Sequence, residues 1–190
     1  MGEAAAAHVV RVLKETAAAH ERMTARADVV VAAAQAITGA LKAGGTVWAF
    51  GNGGSAADAQ HMAAELVGRF EREREALAAI ALTTDTSIVT SVANDFTFDW
   101  VFARQIEALG RREDVALGIS TSGSSANVLT ALESANVRGM KTIALTGRDG
   151  GTIGKAAAIH INVPHASTAR VQEVHRTVIH AICALVERTR

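Results

Sequence analysis

Residues 46–66 read TVWAFGNGGSAADAQHMAAEL, and this stretch decides the fold class. The apolar segment 46–50 is typical of a buried strand, and the turn GNGGS that follows it holds three glycines. An alanine-rich run then predicts a helix over residues 56–67. A strand that is apolar on both faces and leads directly into a helix indicates a parallel sheet covered by helices.

The rest of the chain continues this alternation. Apolar segments without two-residue alternation predict four further strands, at residues 77–83, 114–120, 141–147 and 158–163. Helical periodicity predicts helices at residues 87–95, 98–109, 126–139 and 168–189. We therefore predict an α/β fold, a doubly wound five-stranded parallel sheet with helices on both faces.

The first 44 residues precede this alternating part and have the periodicity of two helices, with a break near residues 20–24. Gly44 and Gly45 end the second helix. We predict one domain, residues 1–190, in which residues 45–190 form the α/β core. The N-terminal helical extension, residues 1–44, is long enough to pack against another subunit.

The charge balance gives no sign of a polyanionic partner. Lysine plus arginine and aspartate plus glutamate number 19 each, so the net charge is zero and no nucleic-acid partner is expected. Charges interrupt every apolar run near the N-terminus, which predicts neither a signal peptide nor a membrane span. We expect a soluble cytoplasmic protein without a membrane partner. Cys183 lies in the apolar run AICALV, which predicts a buried core residue.

Two of the predicted strand-to-helix turns have the same chemistry, GNGGS at residues 51–55 and STSGSS at residues 120–125. In a doubly wound sheet, ligands bind beyond the carboxyl ends of the strands. Glycines let the backbone approach a ligand, and amides at a helix N-terminus favour an anion. Ordinary helix capping would use the same residue types, but two such turns favour a small phosphorylated ligand. Neither turn has the spacing of a nucleotide-binding motif.

Possible metal ligands occur in two of the predicted helices. His61 and Glu65 are four residues apart, so they lie on one face of the helix after GNGGS. The last helix holds Gln172 and His180, about 12 Å apart along its axis. Two imidazoles, a carboxylate and an amide are suitable ligands for a zinc-like ion. A surface ion pair is the alternative for residues 61 and 65, and the spacing leaves open whether the four side chains converge.

Other polar features have a simpler interpretation. Asn94 and Asp95 end a predicted helix, where turn formation is the alternative to ligand binding. His175 is interpreted as a surface residue. The mixed charge run EREREA at residues 71–76 is interpreted as a solvated loop.

With these residues in view, the chain resembles the sugar isomerase (SIS) family, and within it the phosphoheptose isomerases. The resemblance covers essentially the whole length. It rests on five motifs: AGGTVWAFGNGGSAADAQHMAAELVGRF, SVANDF, GISTSGSSANV, ALTGRDGG and RVQEVHRTVIH. Two departures are REREALAA, where many members have a proline-containing stretch, and Ala169, where some members have an acidic residue. Neither position carries a proposed catalytic group.

The resemblance implies a role for each matching position. Five side chains would surround the sugar phosphate: Ser55, Ser120, Thr121, Ser122 and Ser125. Six residues would contact the sugar: Asn52, Gly53, Gly54, Asn94, Asp95 and Gln172. Four would bind a metal, usually zinc: His61, Glu65, Gln172 and His180. Glu65 and His180 are also implied to be the acid/base pair.

The resemblance further implies an activity. It is the aldose–ketose isomerisation of sedoheptulose 7-phosphate to D-glycero-D-manno-heptose 7-phosphate through an enediol, the first step of nucleotide-activated heptose biosynthesis. Members are typically homotetramers with sites between subunits. The alternative is a non-catalytic SIS protein that binds phosphosugars or associates with a replication initiator, and a third possibility is an isomerase of another sugar phosphate. Such a binding protein would need neither Glu65 nor His180, so their joint presence favours the enzyme.

Overall fold

The computed structural model describes residues 2–189. Its N-terminal part forms two helices, α1 over Gly2–Met23 and α2 over Ala27–Lys42, joined by a 3-10 turn at Thr24–Arg26. The predicted pair of helices is therefore confirmed. Of these two helices, α2 contributes more to the core, since Ala33 and Ile37 are fully buried.

Five parallel strands form one sheet in the order β2-β1-β3-β4-β5. The strands are β1 Val47–Gly51, β2 Ala79–Ala81, β3 Val115–Ser120, β4 Lys141–Gly147 and β5 Ile159–Val163. The strand order reverses between β1 and β3, since β2 lies outside β1 and the later strands lie on the other side. The predicted fold class, an α/β protein with a five-stranded parallel sheet, is confirmed.

Six further helices connect or follow the strands. They are α3 Gly54–Val67, α4 Thr86–Asp95, α5 Ala103–Leu109, α6 Ala126–Val137, α7 Gly151–Ala156 and α8 Thr168–Arg188. Among the helices of residues 2–189, none has the length and apolar character that crossing a membrane requires.

The core has two halves, one on each face of the sheet, and β1 shows why its sequence lacks alternation. Val47 and Ala49 pack with α2, α3 and α8 on one face, while Trp48 and Phe50 pack with α5, α6 and α7 on the other. All four of these side chains are buried. A strand that is buried on both faces needs apolar residues at every position.

Three details differ from the sequence-based expectation. The helix predicted over residues 98–109 is a 3-10 turn at Phe98–Trp100 followed by α5. The strand predicted over residues 77–83 is reduced to the three residues of β2. The short helix α7 was not predicted, because it spans only six residues, two of them glycine.

The chain order places the two serine-bearing turns next to each other. β1 and β3 are paired, with Gly51 opposite Ile119, so both strands end at the same edge of the sheet. After β1 the chain enters α3 on one face, and after β3 it enters α6 on the other. A reversal of this kind opens a crevice at the carboxyl ends of the two strands.

Candidate active site

The turn after β1 brings the backbone close to α8. Gly53 has φ of +55°, a conformation that favours glycine. A side chain on the next residue, Gly54, would collide with the amide of Gln172. Gln172 therefore lies at this turn. A groove of about 510 Å³ opens beside it and is lined by Gly54, Asp58, Gln172 and Arg176, among others.

A pair of asparagines joins this turn to α6. The Nδ2 atom of Asn52 donates to Oδ1 of Asn127 at 2.8 Å, and Nδ2 of Asn127 donates to Oδ1 of Asn52 at 2.8 Å. Asn127 is buried, so it has few other partners for its amide. The amide of Asn52, which is partly exposed, keeps one further N–H that this pair does not use. Sequence reasoning missed Asn127, although its position two residues after the STSGSS turn was a usable signal.

Hydroxyl groups converge in the turn after β3. The Oγ atom of Ser120 lies 3.0 Å from Oγ of Ser125 and 3.3 Å from Oγ of Ser122. The Oγ atom of Ser124 donates to Oγ of Ser122 at 3.1 Å. The structure thus brings together three of the predicted phosphate-binding side chains. Hydroxyls in such a cluster can turn their protons toward an anion.

The helix α7, which the sequence did not predict, packs against this turn. Gly123 has φ of +70°, and a side chain there would collide with the carbonyl group of Gly150. The N–H of Ile153 donates to the carbonyl oxygen of Gly123 at 3.1 Å. The contact between these two glycine-bearing turns fixes the backbone on which the hydroxyl cluster is built.

A second cluster joins α3 to α8. The Nε2 atom of His61 lies 2.8 Å from Nε2 of His180 and 3.2 Å from Oε1 of Glu65. One ligand atom from each of the three residues lies within 4.8 Å of the others. The three side chains are partly buried. His61 and Glu65 therefore have the distant partner that the sequence left open.

The donor atoms of this cluster fit a metal ion. The Nε2 atom of His61 has two close neighbours, yet a neutral imidazole nitrogen carries at most one proton. Two ligands that each lie about 2.1 Å from a zinc ion in tetrahedral geometry are about 3.4 Å apart. The observed separations of 2.8 and 3.2 Å are close to that value. We conclude that the cluster is a group able to hold a metal ion.

The surroundings of His61 favour its neutral form, which is the form that binds metals. Partial burial lowers the pKa of His61, and the charge of Arg176 lowers it further, against the opposing effect of Glu65. Arg176 is itself held by the buried Asp58, to whose Oδ1 it donates from Nε at 2.9 Å and from Nη2 at 2.6 Å. A neutral imidazole offers its lone pair to a metal.

The remaining predicted site residues have different surroundings. Ser55 is buried in the first turn of α3. Thr121 is partly exposed at the end of β3. Asn94 donates from Nδ2 to Oδ1 of Asp95 at 2.8 Å. Both lie exposed at the end of α4. Apart from the bond between them, neither forms a side-chain hydrogen bond to a predicted site residue within the described part of the chain.

One interpretation of a polar residue was wrong, and another holds with one exception. His175 is fully buried, not on the surface, and its Nε2 donates to the carbonyl oxygen of Thr146 at 3.0 Å. The charge run at residues 71–76 is an exposed loop, as predicted, except that the side chain of Arg74 is only 8% exposed and pairs with Glu187. The prediction for Cys183 is confirmed, since it is buried and burial raises the pKa of its thiol to about 12.

Comparison with known proteins identifies relatives along most of the chain. The model of the SIS domain family matches residues 12–147. The phosphoheptose isomerase of Methylibium petroleiphilum is 56% identical over 158 residues, which cover 82% of this chain and 79% of the relative. The phosphoheptose isomerase of Neisseria gonorrhoeae is 51% identical, with 92% of this chain and 95% of the relative aligned.

The structural comparison agrees with the sequence comparison. The solved structure of the phosphoheptose isomerase from Neisseria gonorrhoeae superimposes with a TM-score of 0.87 at 46% identity and covers 98% of both chains. The likeness therefore includes the whole sheet and both helical layers.

Proposed function

The chain belongs to the SIS domain family, and on that premise we propose that it is a phosphoheptose isomerase, which converts sedoheptulose 7-phosphate to D-glycero-D-manno-heptose 7-phosphate. Relatives that are identical at more than half of the aligned positions carry that name. The structural observation that supports the proposal most strongly is the close approach of His61 and Glu65 on α3 to His180 on α8. A protein that only binds a phosphosugar has no need for this reactive group.

The hydroxyl cluster is proposed to hold the phosphate. Ser120, Ser122 and Ser125 supply neutral donors, and Ser55 lies in the first turn of α3, where backbone amides favour an anion. Thr121 adds a further hydroxyl from the same turn. Contacts made at the phosphate lie far from the reacting carbons, so their binding energy serves to hold C1 and C2 of the sugar in place.

The sugar chain is proposed to lie between the two turns. Asn52, Gly53 and Gly54 would contact it from the turn after β1, and Gln172 would contact it from α8. Asn94 and Asp95 are proposed to meet the hydroxyls at its other end. The Asn52–Asn127 pair supports this placement, because it orients the Asn52 amide while leaving one N–H free.

The metal is proposed to be zinc, held by His61, Glu65 and His180 with Gln172 as a fourth ligand. Two imidazoles and a carboxylate are the ligand set of many catalytic zinc sites. When bound, zinc supplies a Lewis acid that polarises a carbonyl group and stabilises negative charge on its oxygen.

The proton transfers are proposed to be carried by Glu65 and His180. Glu65 takes a proton from C1 of the ketose, and the released electron pair forms the C1–C2 double bond while His180 donates a proton to the oxygen on C2. In the second half, His180 accepts the proton of the C1 hydroxyl, and Glu65 returns its proton to C2. Carboxylate and imidazole suit these transfers because their pKa values can be brought close to neutrality.

Glu65 can serve as ligand and base because a carboxylate has two oxygens. Its Oε1 faces His61 at 3.2 Å and belongs to the donor cluster. We propose that the other oxygen faces the substrate and takes the proton. A carboxylate that donates only one oxygen to a metal keeps more of its basicity than one held by both.

We further propose that the protein assembles into a homotetramer whose sites form between subunits. The supporting observation is exposed apolar surface in two places, on α1 and just after α4. Val9, Val10 and Leu13 are 50–63% exposed on α1, and Phe96 and Phe98 are more than half exposed after α4. Because its phosphorylated substrate is retained inside cells, the enzyme is proposed to act in the cytoplasm.

The direct test is an assay of the purified protein with sedoheptulose 7-phosphate, with zinc added and after treatment with a chelator. We expect formation of an aldose phosphate that the chelator reduces and zinc restores. Tight binding of the phosphosugar without turnover, with zinc present, would instead identify a non-catalytic binding protein. Faster turnover of another sugar phosphate would identify that compound as the substrate of the same type of isomerisation.

A further inference from the structure

A buried carboxylate near the end of α8 holds the loop that leaves α3. The Oε1 atom of Glu187 accepts the backbone N–H of Phe70 at 2.7 Å. Its Oε2 accepts the backbone N–H of Glu71 at 3.0 Å and that of Arg72 at 3.1 Å. The Glu187 side chain is only 2% exposed. Three backbone donors on one buried carboxylate fix the path of this loop relative to α8.

Arg74 completes the arrangement by capping α3. Its Nη2 donates to the carbonyl oxygen of Glu65 at 2.7 Å, and its Nη1 donates to those of Gly68 at 3.2 Å and Glu75 at 2.9 Å. The carbonyl groups at the end of a helix have no partner within the helix, so this guanidinium satisfies them. Its Nε lies 3.2 Å from Oε1 of Glu187 but without hydrogen-bond direction, so that contact is an ion pair alone.

These contacts lie directly beside the proposed metal and acid/base residues. Arg74 holds the backbone of Glu65 itself. His180 is seven residues before Glu187, two turns along the same face of α8. The loop also carries Phe70, whose ring centroid is 5.4 Å from that of His180. The Glu187–Arg74 pair therefore links the end of α3, at the backbone of Glu65, to α8 two turns beyond His180.

We propose that Glu187 and Arg74 are positioning residues that hold Glu65 in place relative to His180. This placement determines how tightly the site binds its metal and how fast protons are transferred. The inference deepens the proposed function and rests on it for the roles of Glu65 and His180. Neither Glu187 nor Arg74 touches the substrate in this proposal, and both act through the two residues they hold.

The negative charge of Glu187 is needed for this positioning. Burial raises the pKa of Glu187, but hydrogen bonds and a positive charge lower it by more, so the net shift of the pKa is downward. The hydrogen bonds come from the backbone N–H groups of Glu71, Phe70 and Arg72, and the charge is that of Arg74. The carboxylate is therefore ionised at neutral pH. A glutamine at this position would turn an NH₂ group toward backbone donors and would leave the buried Arg74 without its counter-charge.

The test compares E187Q and R74K with a matched control, D114N. R74K keeps the positive charge but loses the fork that reaches three carbonyl groups, so it is the milder variant if E187Q folds poorly. Asp114 is equally well buried, and it accepts the N–H groups of Thr46, Arg111 and the Trp48 indole, each at 2.8 Å. It lies where β1 and β3 begin, at the opposite edge of the sheet from the site.

The first measurement is the zinc affinity of each metal-free protein, by competition with a chromophoric chelator, beside its thermal unfolding. We expect E187Q to bind zinc about 10–100-fold more weakly, as is usual when a group that orients a ligand is lost. R74K should show a smaller loss in the same direction. D114N should lose stability and keep the zinc affinity of the unaltered protein to within about twofold.

The second measurement separates kcat from KM for the phosphosugar, and we expect E187Q to lower kcat with little change in KM. Unchanged zinc affinity in both E187Q and R74K would overturn the inference, and so would an equal loss in D114N. An unaltered protein that binds no zinc would overturn it too. Turnover by the unaltered protein tests the proposed function separately, since the affinity ratios are measured without substrate.

Discussion

The Nε2 atom of His61 lies 2.8 Å from Nε2 of His180, although 119 positions separate the two residues in the chain. The contact exists because α3 and α8 pack side by side on one face of the sheet. The first helix after β1 and the last helix of the chain thus meet at one cluster. Both the proposed metal site and the proposed acid/base pair depend on that meeting.

Replacing His61 should remove metal binding with little effect on the fold. We expect His61→Ala to weaken zinc binding by more than about 100-fold, because losing a ligand costs more than losing a group that orients one. Chelator competition measures the affinity. His8→Ala, at an exposed position on α1, is the control and should bind zinc normally. Equal affinities for the two variants would show that the metal binds elsewhere.

Removing hydroxyls from the turn after β3 should weaken phosphate binding. A hydrogen bond to a charged group is worth about 1.5–3 kcal/mol, so Ser125→Ala should raise KM roughly tenfold or more. The reason is that Oγ of Ser125 belongs to the cluster around Ser120. Steady-state kinetics and competitive inhibition by inorganic phosphate should change together. Ser134→Ala, later on α6, should leave both unchanged, and an equal effect there would argue against a phosphate site.

Disturbing the asparagine pair should affect sugar binding and stability together. In Asn127→Asp, a carboxylate oxygen can still accept from Nδ2 of Asn52. The Nδ2 of Asn127 that donates to Oδ1 of Asn52 is lost, so this oxygen faces a buried carboxylate. We expect a loss of about 1–3 kcal/mol in the free energy of unfolding and a higher KM. Denaturant unfolding and steady-state kinetics measure the two effects. Gln35→Glu, the same change from amide to carboxylate at an exposed position of α2, should change neither by a comparable amount.

The contribution of Glu187 to stability should depend on pH in a defined direction. The pKa of Glu187 lies below its ordinary value of 4.5, so its ionised form stabilises the fold fully above that pH. The stabilisation is lost as the pH falls from there through the lower pKa of the folded state. The difference in unfolding free energy between the unaltered protein and E187Q should be constant from pH 7 to about 5.5 and shrink below about 4.5. A difference that does not vary over this whole range would contradict the ionised carboxylate.

The elements that the sequence predicted best were those with a strong local pattern. The strand β1, the GNGGS turn and α3 follow one another within 21 residues, and each has its own signal in composition or periodicity. The same alternation predicted helices on both faces of the sheet, but the order of the strands is known only from the structure. The fold class and the two serine-bearing turns could therefore be predicted from the sequence, whereas the pairing of β1 with β3, which makes the turns neighbours, could not.

What escaped prediction depends on contacts between distant residues. In the sequence, Arg74 is one of several charged residues in a predicted solvated loop. Its ion pair with Glu187, 113 positions later, is seen only in the structure. The partner of Asn52 is 75 residues away. Since no local pattern marks such pairs, the sequence supplied the chemical groups of the site but not the contacts that orient them.

The proposed reaction is tested most directly in deuterium oxide, with sedoheptulose 7-phosphate as substrate and zinc supplied. Glu65 takes a proton from C1, and this proton exchanges with the solvent before Glu65 delivers one to C2, so we predict an aldose phosphate that carries deuterium at C2, observed by NMR. Glu65→Gln should bind the phosphosugar and form no product, because an amide cannot accept the proton. Full turnover by Glu65→Gln, or a protein that binds the sugar tightly with no turnover at all, would contradict the isomerase mechanism.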